Sequence, residues 1–209
     1  TETISVPSYW VKGLVRNTDT SNDYYKIQDA IDNASSGHTL HIWAWTYNEN
    51  VIVNQTVTII GNATSNTTLN ITSGKGFEIT SDDVSISKIL VKGCGSTSGH
   101  NAFQVTGDDV TVEDVVGKDC SKGISISGSG AWVGNSSFID NDSNGVEIWV
   151  GTSSTTSVTI YKNNISSNGK HGILTSEDDA IIRSNTIQDN SLDGIAIGGA
   201  DVIVSGNTI

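Results

Sequence analysis

Residues 122–148 read KGISISGSGAWVGNSSFIDNDSNGVEI, and the stretch ends much as it begins. Gly123-Ile124-Ser125-Ile126 returns as Gly145-Val146-Glu147-Ile148, a glycine followed by alternating aliphatic positions. A period of two marks a strand with one face inward and one outward. Working outward, the pattern recurs as Gly76-Phe77-Glu78-Ile79, Ala102-Phe103-Gln104-Val105, Gly172-Ile173-Leu174 and Gly194-Ile195-Ala196-Ile197. Its first apolar residue falls at 77, 103, 124, 146, 173 and 195, in steps of 26, 21, 22, 27 and 22. A second strand pattern begins at Val84, Val110, Ala131, Val158, Ala180 and Val202, in steps of 26, 21, 27, 22 and 22. Two landmarks share one period. A coil of this size cannot bury its inner face alone, whereas stacked coils make a continuous core. The pattern predicts an all-β fold, a right-handed parallel β-helix of about seven coils stacked roughly 4.8 Å apart.

Two columns hold the register. Asn163, Asn185 and Asn207 occupy one place in three consecutive coils. Stacked amides at such positions pass hydrogen bonds from coil to coil. The second column runs Cys94, Cys120, Asn141, Asn168, Asn190. Its two cysteines are the only ones in the chain and lie one coil apart, within the Cα separation a disulfide allows. A bridge between Cys94 and Cys120 is expected, a reduced buried pair being the alternative.

An open solenoid end exposes unpaired strand edges and core, so it needs a cap. Between Tyr24 and Ala34, Ile27, Ala30, Ile31 and Ala34 recur at helical spacing, and Gly37 ends the run. One domain is expected over residues 1–209, with an N-terminal strand and capping helix in 1–37 and coils in 38–209. Val202 to Ile209 is half a coil without a cap, so further coils or domains are expected beyond Ile209.

Charge excludes several partners. Lys and Arg number 11 against 23 Asp and Glu, a net charge of −12. That field repels phosphate backbones and anionic lipid, which argues against nucleic acid and against membrane insertion. Asn-x-Ser/Thr acceptors begin at Asn33, Asn54, Asn62, Asn66, Asn70, Asn135, Asn141 and Asn164, a composition suited to an extracellular or cell-surface location.

Tyr25-Lys26-Ile27-Gln28-Asp29-Ala30-Ile31-Asp32-Asn33-Ala34, Thr46-Tyr47-Asn48-Glu49-Asn50-Val51 and Val57-Thr58-Ile59-Ile60-Gly61 resemble the opening of pectin-lyase-like β-helix proteins. The resemblance is closest to NosD-like and carbohydrate-binding and sugar-hydrolase (CASH) repeats of archaeal and bacterial surface proteins. It implies fold more than function. NosD-like proteins are associated with copper, but this chain has no Met and only His38, His41, His100 and His171, so soft copper ligands are missing. The catalytic segments of the pectin methylesterases, which share the opening, have no counterpart here.

Several constellations are candidates for chemistry. Asp82, Asp83, Asp108 and Asp109 occupy one turn in adjacent coils. They form either Asx-type turns or an all-oxygen cation site, for which calcium is the fitting ion; no cofactor is required. The residue before each glycine-type strand gives the column Lys75, Asn101, Lys122, Asn144, His171, Asp193. There His171 and Asp193 could act as an oriented imidazole and its carboxylate. Lys118 shares a column with Lys92 and is the basic residue a lyase would use. Trp132 and Tyr161 point outward on one strand type, with Trp149 and Glu147 outward on the other, as stacking platforms and orienting groups for sugar rings. A covering loop at 151–157 is the alternative for these rings. Trp43, Trp45 and Tyr47 are expected to pack under the cap. The function expected is a non-catalytic, extracellular module that binds glycans or serves as an adhesive or structural stalk. The alternative is a polysaccharide lyase or glycoside hydrolase.

Overall fold

The repeat is realised as three sheets wound into one solenoid. The computed structural model describes residues 14–149 and 157–209. The described residues open with β1 (Val15–Asn17), β2 (Asn22–Tyr24) and α1 (Ile27–Asp32). The first coil follows as β3 (Thr39–Ile42), β4 (Trp45–Tyr47) and β5 (Val51–Val53). Each of these three starts a parallel stack. Sheet A continues from β3 through strands starting at Thr58, Ser85, Thr111, Trp132, Thr159, Ile181 and Ile203. Sheet B runs from β4 through Thr67, Leu90, Val116, Ser137, Asn164 and Thr186, and sheet C from β5 through Phe77, Asn101, Lys122, Val146, Ile173 and Ile195.

The two repeating patterns of the sequence are sheets C and A. Sheet B lacks a constant signature because its inward column reads Leu69, Val91, Gly117, Phe138, Ile165, Ile187. A Cβ at Gly117 would be tightly placed on three sides, 3.0 Å from Gly123 O, 3.1 Å from Ala102 Cβ and 3.2 Å from the Phe138 ring. Inside, Phe77 and Phe103 stack with centroids 5.8 Å apart and planes 6° from parallel. Ile79, Ile86, Val105, Val112, Ile126 and Ile160 extend the same dry core.

The N-terminal end is closed by more than the expected helix. The helix is shorter than the spacing predicts, because Tyr24 belongs to β2. β1 pairs antiparallel with both β3 and β2, which covers the edge of sheet A. Ile27, Ala30 and Ile31 are buried, as their spacing requires. The first two helical N–H groups donate to the Glu49 carboxylate, from Ile27 at 2.9 Å and Gln28 at 3.1 Å. An anion at a helix start complements the positive end of the backbone dipole. The Gln28 amide then imitates a strand. Its oxygen accepts from Ile52 N at 2.7 Å and its nitrogen donates to Ile52 O at 3.1 Å, closing part of the sheet C edge.

Both polar columns form the ladders their register calls for. Asn185 Nδ2 donates to Ile160 O and to Asn207 Oδ1, while Asn185 Oδ1 accepts from the backbone and side-chain nitrogens of Asn163. Asn141, Asn168 and Asn190 repeat the arrangement at the next corner. Asn141 is only 2% exposed, so its glycosylation acceptor is unreachable in the folded chain. Above it Cys120 N donates to Asn141 Oδ1, and the column ends in the Cys94–Cys120 disulfide, Cα atoms 4.5 Å apart.

Candidate functional site

The outer face of sheet C carries a polar ribbon that follows from register. Its outward residues run Ile52, Glu78, Gln104, Ser125, Glu147, Leu174. The column before each glycine-type strand leans onto them. Lys75 pairs with Glu78, Asn101 Nδ2 donates to Gln104 Oε1 at 2.7 Å, and Asn144 Nδ2 donates to Glu147 Oε2 at 2.6 Å. Lys122 closes on the other oxygen of Glu147. Glu147 is therefore held by a cation on one side and an amide on the other, which fixes its orientation.

The insertion at 95–100 stands beside this ribbon. Gly95 and Gly99 take φ of 88° and 87°, values that side chains rarely adopt, and so let the loop turn out and back. The disulfide anchors its start, and His100 O accepts from Ser121 N at 2.8 Å at its end. A hollow of about 460 Å³ involves Ile52, Lys75, Glu78, Ser98 and His100. A second, about 440 Å³, is more polar and involves Ser98, Lys122, Asn144, Glu147, Lys170 and His171. Ser98 borders both, so the insertion separates them.

His171 enters the second hollow from the coil below Asn144, whose Oδ1 accepts its backbone N–H at 3.1 Å. Its Nδ1 lies 3.3 Å from Asp193 Oδ2, near enough for attraction but without hydrogen-bond alignment. The structure thus brings His171, Asp193 and Glu147 to one face. Lys118 is elsewhere: it projects from sheet B beside Lys92 and lies 3.2 Å from Asp119. The acidic turn joins sheet C to sheet A, so it shares no face with Lys118.

In that turn Asp83 and Asp109 adopt left-handed backbone, φ 56° and 53°. Asp82 Oδ1 accepts Asp108 N at 2.8 Å, and Asp108 Oδ1 accepts Ser129 N at 2.7 Å. Asp178 repeats the bond with Ala200 N at 2.6 Å. Each of these carboxylates caps the next coil, so backbone N–H groups already offset its charge. Among the described residues no three His, Cys, Asp or Glu side chains converge as a metal site. Because backbone N–H groups already occupy Asp82 and Asp108, millimolar calcium is expected to raise the melting temperature no more than magnesium at matched ionic strength. A calcium-specific rise, seen by scanning calorimetry and lost in Asp82→Asn/Asp108→Asn, would reverse that expectation.

The aromatic candidates divide between faces. Trp132 and Tyr161 share the outer face of sheet A, but not as parallel rings at the strand spacing. Tyr161 pairs in register with Gly134, and the Trp132 indole lies over that glycine, where a Cβ would come within 2.2 Å of the ring. The ring centroids are 6.5 Å apart and the planes 55° inclined. Glu147 and Trp149 belong to the sheet C side, with Trp149 68% exposed. Of the covering segment 151–157, all but Ser157 lies outside the described residues.

The aromatics of the first coil only partly follow expectation. Tyr47 does pack beneath the cap, donating to Leu14 O at 3.0 Å. Burial, with a smaller contribution from Glu49, pushes its hydroxyl far above the usual tyrosine range. Trp43 and Trp45 do not pack there: they are 38% and 41% exposed. Trp43 continues the outward parity of His41 and stacks on it at 4.9 Å.

Residues 148–209 match the right handed beta helix region family. No curated protein sequence matches the chain. Among solved structures it is similar to the A-module of a mannuronan C-5 epimerase from Azotobacter vinelandii, with 17% identity and TM-score 0.59 over 87% of this chain and 71% of that one. It is also similar to the tailspike gp49 of Acinetobacter baumannii bacteriophage Fri1, a capsular polysaccharide depolymerase, with 12% identity and TM-score 0.51 over 87% and 54%. A pectin methylesterase in complex with a hexasaccharide gives 11% identity and TM-score 0.53 over 87% and 78%. At such identities the likeness speaks for fold alone. The fold is that of the pectin-lyase-like right-handed parallel β-helices. No helix among the described residues is long and apolar enough to cross a membrane.

Proposed function

We propose that this chain is an extracellular or cell-surface carbohydrate-binding module that holds a glycan against the outer face of sheet C. The observation that carries it is the polar hollow of about 440 Å³ in which Lys122 and Asn144 hold Glu147 in place. A fixed carboxylate with amide and hydroxyl neighbours suits sugar hydroxyls, and Trp149, two residues after Glu147 in the chain, offers an exposed apolar ring. The solenoid sets these groups in advance, so little ordering is needed on binding. Two further facts support the reading. Structures of the same fold act on or bind polysaccharides: a mannuronan epimerase, a capsular polysaccharide depolymerase and a pectin methylesterase. A disulfide also suits an oxidising compartment.

A second reading, a polysaccharide lyase or glycoside hydrolase, is favoured by one observation: His171, which lines the same hollow, lies 3.3 Å from the exposed carboxylate of Asp193. A glycan array run beside reducing-sugar and unsaturated-product assays separates the two. Binding without product is the expected result, with Glu147→Gln weakening it about tenfold, the loss of one charge-assisted contact. Turnover abolished by His171→Ala would move the chain to the enzyme class. Undiminished binding by Glu147→Gln and Trp149→Ala would remove the hollow as the site.

A further inference from the structure

We propose that the outer face of sheet A carries a second, separate ligand site, selective for anionic glycans and built on Trp132, Tyr161, Lys162 and Arg183. Gly134, Tyr161 and Arg183 occupy one outward column in three successive coils. Because Gly134 has no side chain, the Trp132 indole fills its place, so the column presents indole, phenol and guanidinium in turn. The Arg183 guanidinium carbon lies 4.8 Å from the centre of the Tyr161 ring, and Lys162 Nζ lies 5.0 Å from it.

An aromatic ring holds a cation in place without cancelling its charge. Neither Lys162 nor Arg183 has a salt bridge among the described residues, and both are exposed. The carboxylate of the same column, Glu113, pairs in register with Gly134 at the indole end, two coils from Tyr161 and three from Arg183, so the two cations sit side by side at the other end of the column on a chain of net charge −12. The planar guanidinium fork matches a carboxylate or sulfate in two-point contact, which Lys cannot do. The partly buried indole, one coil step beyond Tyr161, supplies the stacking surface for the ring that bears or adjoins that group. With strands roughly 4.8 Å apart, indole to guanidinium spans about two coil steps, on the scale of two linked sugar rings. The site therefore fits an acidic oligosaccharide lying along the solenoid axis.

The test uses the whole chain and calorimetric titration with three hexasaccharides: oligogalacturonate, a heparin-derived sulfated hexamer and neutral maltohexaose. At least one anionic probe should bind, with maltohexaose at least about tenfold weaker, since one charge-assisted contact is worth roughly that factor. Arg183→Gln, an exposed change that leaves the core untouched, should weaken the anionic probe by about tenfold. Trp132→Ala should weaken it too, with melting little changed. Glu147→Gln should leave it unaltered. The inference is overturned if no anionic probe binds, if the neutral probe binds equally, or if Arg183→Gln binds like the parent. It also fails if a single-stranded oligonucleotide of matched charge binds as tightly, since the patch would then be a general anion attractor. Loss of the anionic probe in Glu147→Gln with retention in Arg183→Gln would place that ligand in the sheet C hollow, sinking this inference and not the proposed function.

Discussion

Replacing Asn185 by alanine is expected to cost about 3–5 kcal/mol of stability, although the residue touches no candidate site. Its side-chain amide donates to Ile160 O at 3.0 Å and Asn207 Oδ1 at 2.9 Å, and accepts from Asn163 N at 2.9 Å and Asn163 Nδ2 at 3.1 Å. The residue is 1% exposed, so water cannot replace those partners without opening the corner. Buried groups left unpaired carry their full desolvation cost, roughly 1–3 kcal/mol each. Asn185→Asp separates polarity from size. A carboxylate there faces Ile160 O and Asn207 Oδ1 with no proton to offer, so its folded pKa must be raised above the unfolded value. The variant should then be most stable below the unfolded carboxyl pKa, losing stability as pH rises through the folded one. Urea titrations at acid and neutral pH check both variants. Stability of Asn185→Ala within 1 kcal/mol of the parent, at the limit of a neutral surface change, would mean the ladder is decorative.

The second large effect concerns the Cys94–Cys120 bridge, which closes a separation of 26 residues. In the chain-entropy picture such a loop is worth about 3 kcal/mol. Both sulfurs are buried, so Cys94→Ser/Cys120→Ser should lose that amount together with apolar packing. The column suggests a milder replacement. Cys120 stands directly above Asn141, and its backbone N–H already donates to Asn141 Oδ1 at 3.2 Å. Cys120→Asn, combined with Cys94→Ser, should extend the amide ladder by one coil and recover about 1 kcal/mol, the net worth of one such hydrogen bond. Chemical denaturation of the parent, oxidised and reduced, beside the two double variants measures this order. Equal stability of both double variants would show that the ladder cannot extend to that coil.

The sites were only partly legible. The column that puts His171 beside Asp193 follows from counting, because a fixed period converts sequence distance into spatial neighbours. Lys118 lies near Asp108 and Asp109 along the chain, yet a corner of the solenoid separates them. Sheet B was hidden because Gly117 interrupts its inward column, and the groups that crowd it, Gly123 O, Ala102 and the Phe138 ring, come together only in the folded coils. The exposure of Trp43 and Trp45 was equally hidden. Nothing in the local pattern says whether an aromatic near a cap lies beneath it or outside it.

What the sequence by itself determined is the solenoid: its period, its inward and outward faces, its amide ladders and the place of its two cysteines in adjacent coils. Each is a repeated local preference, and repetition lets weak signals add. What only the tertiary structure decided is how side chains from neighbouring coils meet. The Trp132 indole settles over Gly134 and beside Tyr161 because an empty position exists there to receive it. Lys122 reaches Glu147 across one coil and Gln28 seals the edge at Ile52 for the same reason. Long side chains choose among several neighbours at similar distance, and that choice is made by packing, which no single column encodes.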